Sequence, residues 1–108
     1  PTGLLRRLHR LIEQTPAEQL TVQALADRLA MSGRTLARKV RAETGEAVAS
    51  YARRIKLYQL SERLAMTSTP LSTLSADLGF SSPANLRRMF KALTGLTPAQ
   101  YRQQYGRQ

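Results

Sequence analysis

At 108 residues and 42% hydrophobic content, the chain is long enough for one compact domain with a real apolar core, or for two half-domains sharing a linker. Seventeen Lys and Arg against seven Asp and Glu give a formal net charge of +10, and the lack of Cys excludes disulfides and thiolate metal sites. No apolar run approaches the roughly 18 residues of a membrane span and no signal peptide is visible, so no membrane partner is expected and the location expected is cytoplasmic.

Helical periodicity runs nearly end to end and strand alternation is absent, which predicts an all-α chain of seven helices. The first covers about 3–14, with Leu4, Leu5, Leu8, Leu11 and Ile12 as one apolar stripe and Arg6, Arg7 and Arg10 toward water. Thr21 is the expected N-cap of a short helix ending near Leu29, with Val22, Leu25, Ala26 and Leu29 inward. Ser32 caps the next helix, which runs to about Thr44 before Gly45. A longer helix follows over about 47–66, roughly 30 Å at 1.5 Å per residue. On it Leu57, Leu60 and Leu64 mark one face, while Val48, Tyr51, Ile55 and Tyr58 are expected to pack toward the first module. Beyond it, Thr69-Pro70, Ser82-Pro83 and Thr97-Pro98 each set a cap residue before a proline at a first helical position. The last helix is expected to end near Gln104 and leave a frayed tail. Domain boundaries follow: a first module over 1–46, a linker helix over 47–66 and a second module over 67–108. The opening Pro1-Thr2-Gly3 lacks an initiator Met, as expected of a piece of a longer protein.

The two modules are imperfect copies. A shift of 49 aligns Leu25 with Leu74, Leu29 with Leu78 and Ser32 with Ser81. After a one-residue insertion near Ser82, a shift of 50 aligns Leu36, Arg38, Ala42, Thr44, Gly45, Ala49 and Tyr51 with Leu86, Arg88, Ala92, Thr94, Gly95, Ala99 and Tyr101. Stacked repeat arrays need about three or more copies, so two copies point to one binding surface presented twice. The basic excess is shared between them, with ten basic residues against five acidic over 1–54 and seven against two over 55–108. A basic excess on both modules is the footprint of a polyanion binder.

Within each copy, two helices are separated by about three residues, a helix-turn-helix pattern. Gly79 supplies the positive φ that such a turn needs, where the first copy has Ala30. On the helix after the first turn, Leu36 and Val40 must point inward, which leaves Arg34, Arg38 and Arg41 as a stripe on the opposite side. Guanidiniums in line add nothing to packing, but a helix fits the major groove and Arg pairs bidentately with guanine O6 and N7. Arg34 and Arg38, near the N-terminus, are base-reading candidates with Thr35 beside them. Arg41 and Lys39 are expected on phosphate, and Ser32 offers phosphate its hydroxyl and cap N–H groups. The second stripe is Ala84, Arg88 and Lys91, with Asn85 and Arg87 beside it. Here Asn85 suits adenine and Arg88 repeats Arg38, while Ser81, Ser82, Arg87 and Lys91 are phosphate candidates.

The span from Leu20 to Tyr105 resembles the DNA-binding domain of AraC/XylS-type transcription regulators. The resemblance rests on Gly79-Phe80-Ser81, Arg88-Met89-Phe90-Lys91, Gly95, Thr97-Pro98 and Tyr101-Arg102. It implies a bacterial regulator with two helix-turn-helix units on one long helix, each placing a recognition helix (about 33–44 and 83–94) in successive major grooves of double-stranded DNA. Family base-reading positions fall on Arg34, Ala37 and Arg38, and on Pro83, Ala84, Asn85 and Arg88; Ala37, Pro83 and Ala84 have no side-chain donor. It also implies an N-terminal effector or dimerisation domain outside this sequence. Residues 81–88 most resemble members in which that domain is amidase-like.

Catalysis finds little support: there is a single His, His9, and no acid pair or Gly-rich phosphate loop. His9, Asp27 and Asp77 read as surface residues, and no cofactor is expected. Two alternatives remain at this point, a basic interaction module docking on RNA polymerase and a non-specific architectural DNA binder. Recognition helices one turn of B-DNA apart are separated by about 34 Å, which a helix of about 30 Å is of the right order to span. The expected site is therefore asymmetric, two unlike half-sites about 10 base pairs apart.

Overall fold

The computed structural model describes residues 3–107. Among the described residues seven α-helices form in order: α1 Gly3–Gln14, α2 Val22–Arg28, α3 Gly33–Thr44, α4 Val48–Met66, α5 Leu71–Asp77, α6 Pro83–Thr94 and α7 Pro98–Tyr105, with a 3₁₀ turn at Ala17–Gln19 after α1. The chain divides into two compact units, Pro1–Lys56 and Leu57–Gln108, and the division falls inside α4.

Most helix starts are set by one local interaction. Thr21, Ser32, Ser82 and Thr97 hold extended backbone, and each side-chain oxygen accepts the N–H three residues on. That satisfies one of the four donors a helix start leaves open. At Thr97 the pairing is reciprocal, since Gln100 Oε1 accepts from the Thr97 N–H at 2.9 Å, a capping box. The expectation at Thr69-Pro70 is corrected: Pro70 is itself the N-cap of α5, without a side-chain cap bond, and Leu71 is the first helical residue. Pro70, with ψ near 148°, is extended rather than helical. Both α3 and α6 end at a left-handed glycine, Gly45 and Gly95.

In the first unit, α2 packs on α1 and α3. Leu8, Ile12, Leu25, Ala26, Leu29, Leu36 and Val40 form its core with Val48, Tyr51, Ala52 and Ile55 of α4. Lys56 is buried among them, only 2% exposed, and its Nζ donates to the Glu13 carbonyl oxygen at 3.1 Å. Tyr58 is corrected: it is 49% exposed and takes no part in this core. At the start of α4, Arg54 Nε and Nη2 pair with the Glu46 carboxylate, and the Arg54 guanidinium lies 5.5 Å from the centre of the Tyr51 ring. The hydrogen bonds and charge of Arg54 hold the Glu46 carboxyl below its ordinary value, whereas burial pushes the Tyr51 phenol up.

In the second unit, Leu57, Leu60 and Leu64 of α4 pack with Leu74, Leu78, Leu86 and Phe90. The Tyr101 ring of α7 meets Phe90 edge-on at 5.3 Å. The tail as far as Arg107 is tied down rather than frayed, Gln108 lying outside the described residues: Arg102 Nε donates to the Leu64 carbonyl oxygen at 3.1 Å, and the Arg107 N–H donates to that of Ala65 at 3.0 Å.

Candidate nucleic-acid interface

Both units contain the same turn, closed by the same bonds. In the first, Met31 N–H donates to the Ala26 carbonyl (3.0 Å) and Ala30 N–H to that of Asp27 (3.2 Å). In the second, Phe80 N–H donates to Ser75 (2.9 Å) and Gly79 N–H to Ala76 (3.0 Å). This pair of bonds is a Schellman closure, and it needs a left-handed residue at the position after the C-cap. Gly79 provides it at φ 79° without strain, and Ala30 adopts it at φ 57°. Met31 and Phe80, next in line, are partly buried and pack on their respective cores. The turn therefore fixes how the second helix leaves the first.

The caps correct one pairing of the repeat. Ser32 and Ser82 are both N-caps, so they are the equivalent pair, and Ser81 is the inserted residue in the second turn. The α3 and α6 helices then correspond position by position, with Thr35 matching Asn85 and Arg38 matching Arg88.

On α3, Leu36 and Val40 are fully buried, and Arg34, Arg38, Lys39 and Arg41 are exposed. Among the described residues none of these four cations makes a side-chain hydrogen bond or ion pair. Thr35 is half-buried; its Oγ1 accepts from Ser32 Oγ at 2.9 Å, while Ser32 Oγ accepts the Thr35 N–H at 3.1 Å. The Ser32 hydroxyl proton is thus engaged locally, and its cap leaves the first N–H groups of α3 as donors. Leu4 of α1 shares a shallow hollow with Arg38, Lys39, Ala42 and Glu43, so the start of α1 flanks this helix. Gln23 of α2 is a neighbour that sequence reasoning passed over: its Oε1 lies 3.4 Å from where a Cβ on Gly33 would stand. The turn geometry, not any motif, brings it there.

On α6, Leu86 and Phe90 are fully buried, while Ser81, Arg87, Arg88 and Lys91 are exposed and Ser82 and Asn85 half-buried. Ser82 Oγ accepts the Asn85 N–H at 3.2 Å. Arg88 Nη2 donates to Asn85 Oδ1, a side-chain coupling that no spacing rule announces. Each unit thus gathers its own candidates on the outer face of its second helix.

His9 pairs with Glu13 on the surface of α1, Nε2 to Oε2 3.5 Å, and Asp27 accepts from Gln23 Nε2 at 2.8 Å. Among the described residues no group of three or more His, Cys, Asp or Glu is placed to hold a metal ion. No described helix is long and apolar enough to cross a membrane.

Comparison with known proteins agrees with this geometry. Residues 25–104 match the family described as a helix-turn-helix domain, of the AraC type. The chain is 36% identical over 100 residues to the transcriptional regulator VirS of Mycobacterium tuberculosis, covering 93% of this chain and 27% of VirS. It is 29% identical over 91 residues to the multiple antibiotic resistance protein MarA of Salmonella typhimurium, covering 84% of this chain and 72% of MarA. Among solved structures, the DNA-binding domain of the global transcriptional factor AdpA, in complex with a target DNA, superposes with a TM-score of 0.83 at 30% identity, over 96% of this chain and 94% of that one. The C-terminal domain of AraT from Geobacillus stearothermophilus has the same fold, with a TM-score of 0.87 at 23% identity over 99% and 89% of the two chains. The chain spans about 30% of the length of an AraC-like regulator of Streptomyces antibioticus, another relative it matches.

Proposed function

Since this chain belongs to the AraC-type family of helix-turn-helix DNA-binding domains, we propose that α3 and α6 are its two recognition helices and that each reads one half of an asymmetric operator. The observation that carries this reading is the α3 stripe. Arg34, Arg38 and Arg41 stand exposed on the face opposite the buried Leu36 and Val40, with no side-chain hydrogen bond or ion pair among the described residues, on the second helix of a turn that the chain builds twice. Exposed cations in line take no part in the packing of α3 and present a positive surface to an external anion. Arg34, Thr35 and Arg38 read base edges from α3, as do Asn85 and Arg88 from α6. Lys39, Arg41, Arg87 and Lys91, with Ser32, Ser81 and Ser82, hold phosphate oxygens and set the register without reading sequence. The half-sites lie in successive major grooves, about 10 base pairs apart.

The relatives VirS and the Streptomyces regulator are over three times the matched length, which supports a role as the DNA-binding part of a longer regulator with an N-terminal effector or dimerisation domain. Such regulators work in the cytoplasm, where the DNA is. RNA polymerase is the second partner in this reading, through cations outside both recognition helices; Arg7, Arg10 and Arg28 border one shallow hollow that offers such a surface.

Selection from a randomised duplex pool at near-physiological salt tests the assignment. Two unlike enriched blocks about one turn apart are expected. Arg38→Ala should cost about 1–3 kcal/mol and relax preference at one base pair, while Arg41→Ala should weaken all duplexes alike. A pool that binds but stays random would leave phosphate attraction alone and defeat sequence reading.

A further inference from the structure

We propose that Asn85 and Arg88 act as one base reader, a joint hydrogen-bond donor that selects guanine in the half-site met by α6. The inference rests on the DNA-reading assignment above. In α6 the Arg88 guanidinium donates through Nη2 to Asn85 Oδ1. To recognise adenine, an Asn must accept from the N6 amino group while donating to N7, so its carbonyl oxygen has to face the base. Here a cation already sits on that oxygen. A second lone pair remains, but an amino group approaching it brings its own positive hydrogen against the guanidinium. What the pair turns outward is the Asn85 amide NH₂ and the other N–H groups of Arg88, donors alone. In the major groove guanine answers with two acceptors, O6 and N7, whereas adenine offers one acceptor beside a donor and thymine a single acceptor.

The first unit shows what the coupling changes. Thr35 stands where Asn85 stands in the second, and its Oγ1 is taken by Ser32 Oγ at 2.9 Å. Arg38, the counterpart of Arg88, makes no such bond among the described residues, and Arg34 adds a second cation where α6 has Ala84. From α3 the two arginines read independently of one another beside Thr35, and one coupled pair reads from α6. The α6 block is correspondingly narrow, centred on a single guanine.

The same pool selection, run with the wild-type chain, Asn85→Ala, Arg88→Ala and the double variant, decides the matter. The expected α6 block contains one guanine whose replacement by adenine weakens binding roughly 5- to 150-fold, the span of one good bidentate contact. Changing it to 7-deazaguanine, which lacks the N7 acceptor, should weaken binding as well. A joint reader also requires the two single variants to lose nearly as much selectivity at that position as the double variant. Adenine enriched there and lost in Asn85→Ala but kept in Arg88→Ala would overturn the proposal. So would a block unaffected by Asn85→Ala, or losses that simply add. The α3 block is the internal control: when it is enriched and the α6 block is not guanine-centred, only the joint reader fails. When neither block is enriched, sequence reading itself fails. Both positions lie on the outer side of α6, and an intact α3 block in each variant shows that the protein has folded.

Discussion

Ala30 occupies a left-handed turn position at φ 57°, where its Cβ crowds the backbone, and the matching position in the second unit is Gly79. Left-handed backbone costs an L-residue roughly 1–2 kcal/mol, and glycine returns about 0.4–1 kcal/mol of that through a freer unfolded chain. Ala30→Gly is therefore expected to stabilise the first unit by about 0.5–1 kcal/mol, read as a higher denaturation midpoint. Gly79→Ala should shift stability the opposite way. A second residue-scale prediction concerns Ser75, which is 1% exposed and whose Oγ has no hydrogen-bond partner among the described residues. The matching residue in the first unit is Ala26, fully buried. A buried hydroxyl without a partner costs about 1–3 kcal/mol, so Ser75→Ala should leave the protein as stable or more stable by about 1 kcal/mol in urea unfolding. A loss of stability would show instead that the hydroxyl is hydrogen-bonded in the folded protein.

Among the elements, α4 repays the closest reading. Its first turn is pinned by Glu46 and Arg54, and the lowered Glu46 pKa gives this pairing a pH signature. A carboxyl depressed in the folded state contributes stability that is present above its ordinary value near 4.5 and lost as pH falls through the folded value. Both side chains are about one third exposed, so the contribution is small, about 0–1 kcal/mol. Thermal unfolding of the wild type and Glu46→Gln should differ at pH 7 and converge once the pH has fallen below the depressed folded value. Tyr51 acts at the other extreme: its phenol is raised by burial, so the stability from keeping it neutral is present below 10 and lost as pH rises above it. The same helix shows why periodicity misplaces Tyr58. Counting in steps of three and four from Val48, Tyr51 and Ile55 reaches Tyr58, but the buried run passes instead to Leu57, Leu60 and Leu64, which belong to the other core. A helix that serves two cores carries two apolar faces, and spacing alone does not say where one ends.

For the molecule as a whole, the net charge of +10 is what DNA meets first. Lys39, Arg41, Arg87 and Lys91, if all four neutralise phosphates, give a slope of log affinity against log salt of about −3.6, at roughly −0.9 per contact on B-DNA. Each alanine variant among the four should flatten that slope by about 0.9, measured on one duplex across a salt series. A slope unchanged in all four variants would remove them from the phosphate-binding set.

Much of this was legible in the residues because it is local. The caps at Thr21, Ser32, Ser82 and Thr97, the left-handed Gly45 and Gly95 and the inward Leu36 and Val40 each depend on neighbours within about one turn, so spacing and residue type determined them. The duplicated turn, the exposed arginine stripe and the family followed from the same short-range pattern. Tertiary structure alone decided what depends on distant partners or on side-chain orientation. Lys56 lies buried because the Glu13 carbonyl 43 residues earlier receives its ammonium, and the tail is held because Arg102 reaches Leu64 across 38 residues. Ser82, not Ser81, pairs with Ser32 because the turn closes at Phe80 and α6 is capped at Ser82, which leaves Ser81 as the extra residue between them. Asn85 and Arg88 are three residues apart, a spacing that permits contact without requiring it. Their coupling depends on rotamers chosen in three dimensions, where composition and periodicity have no voice.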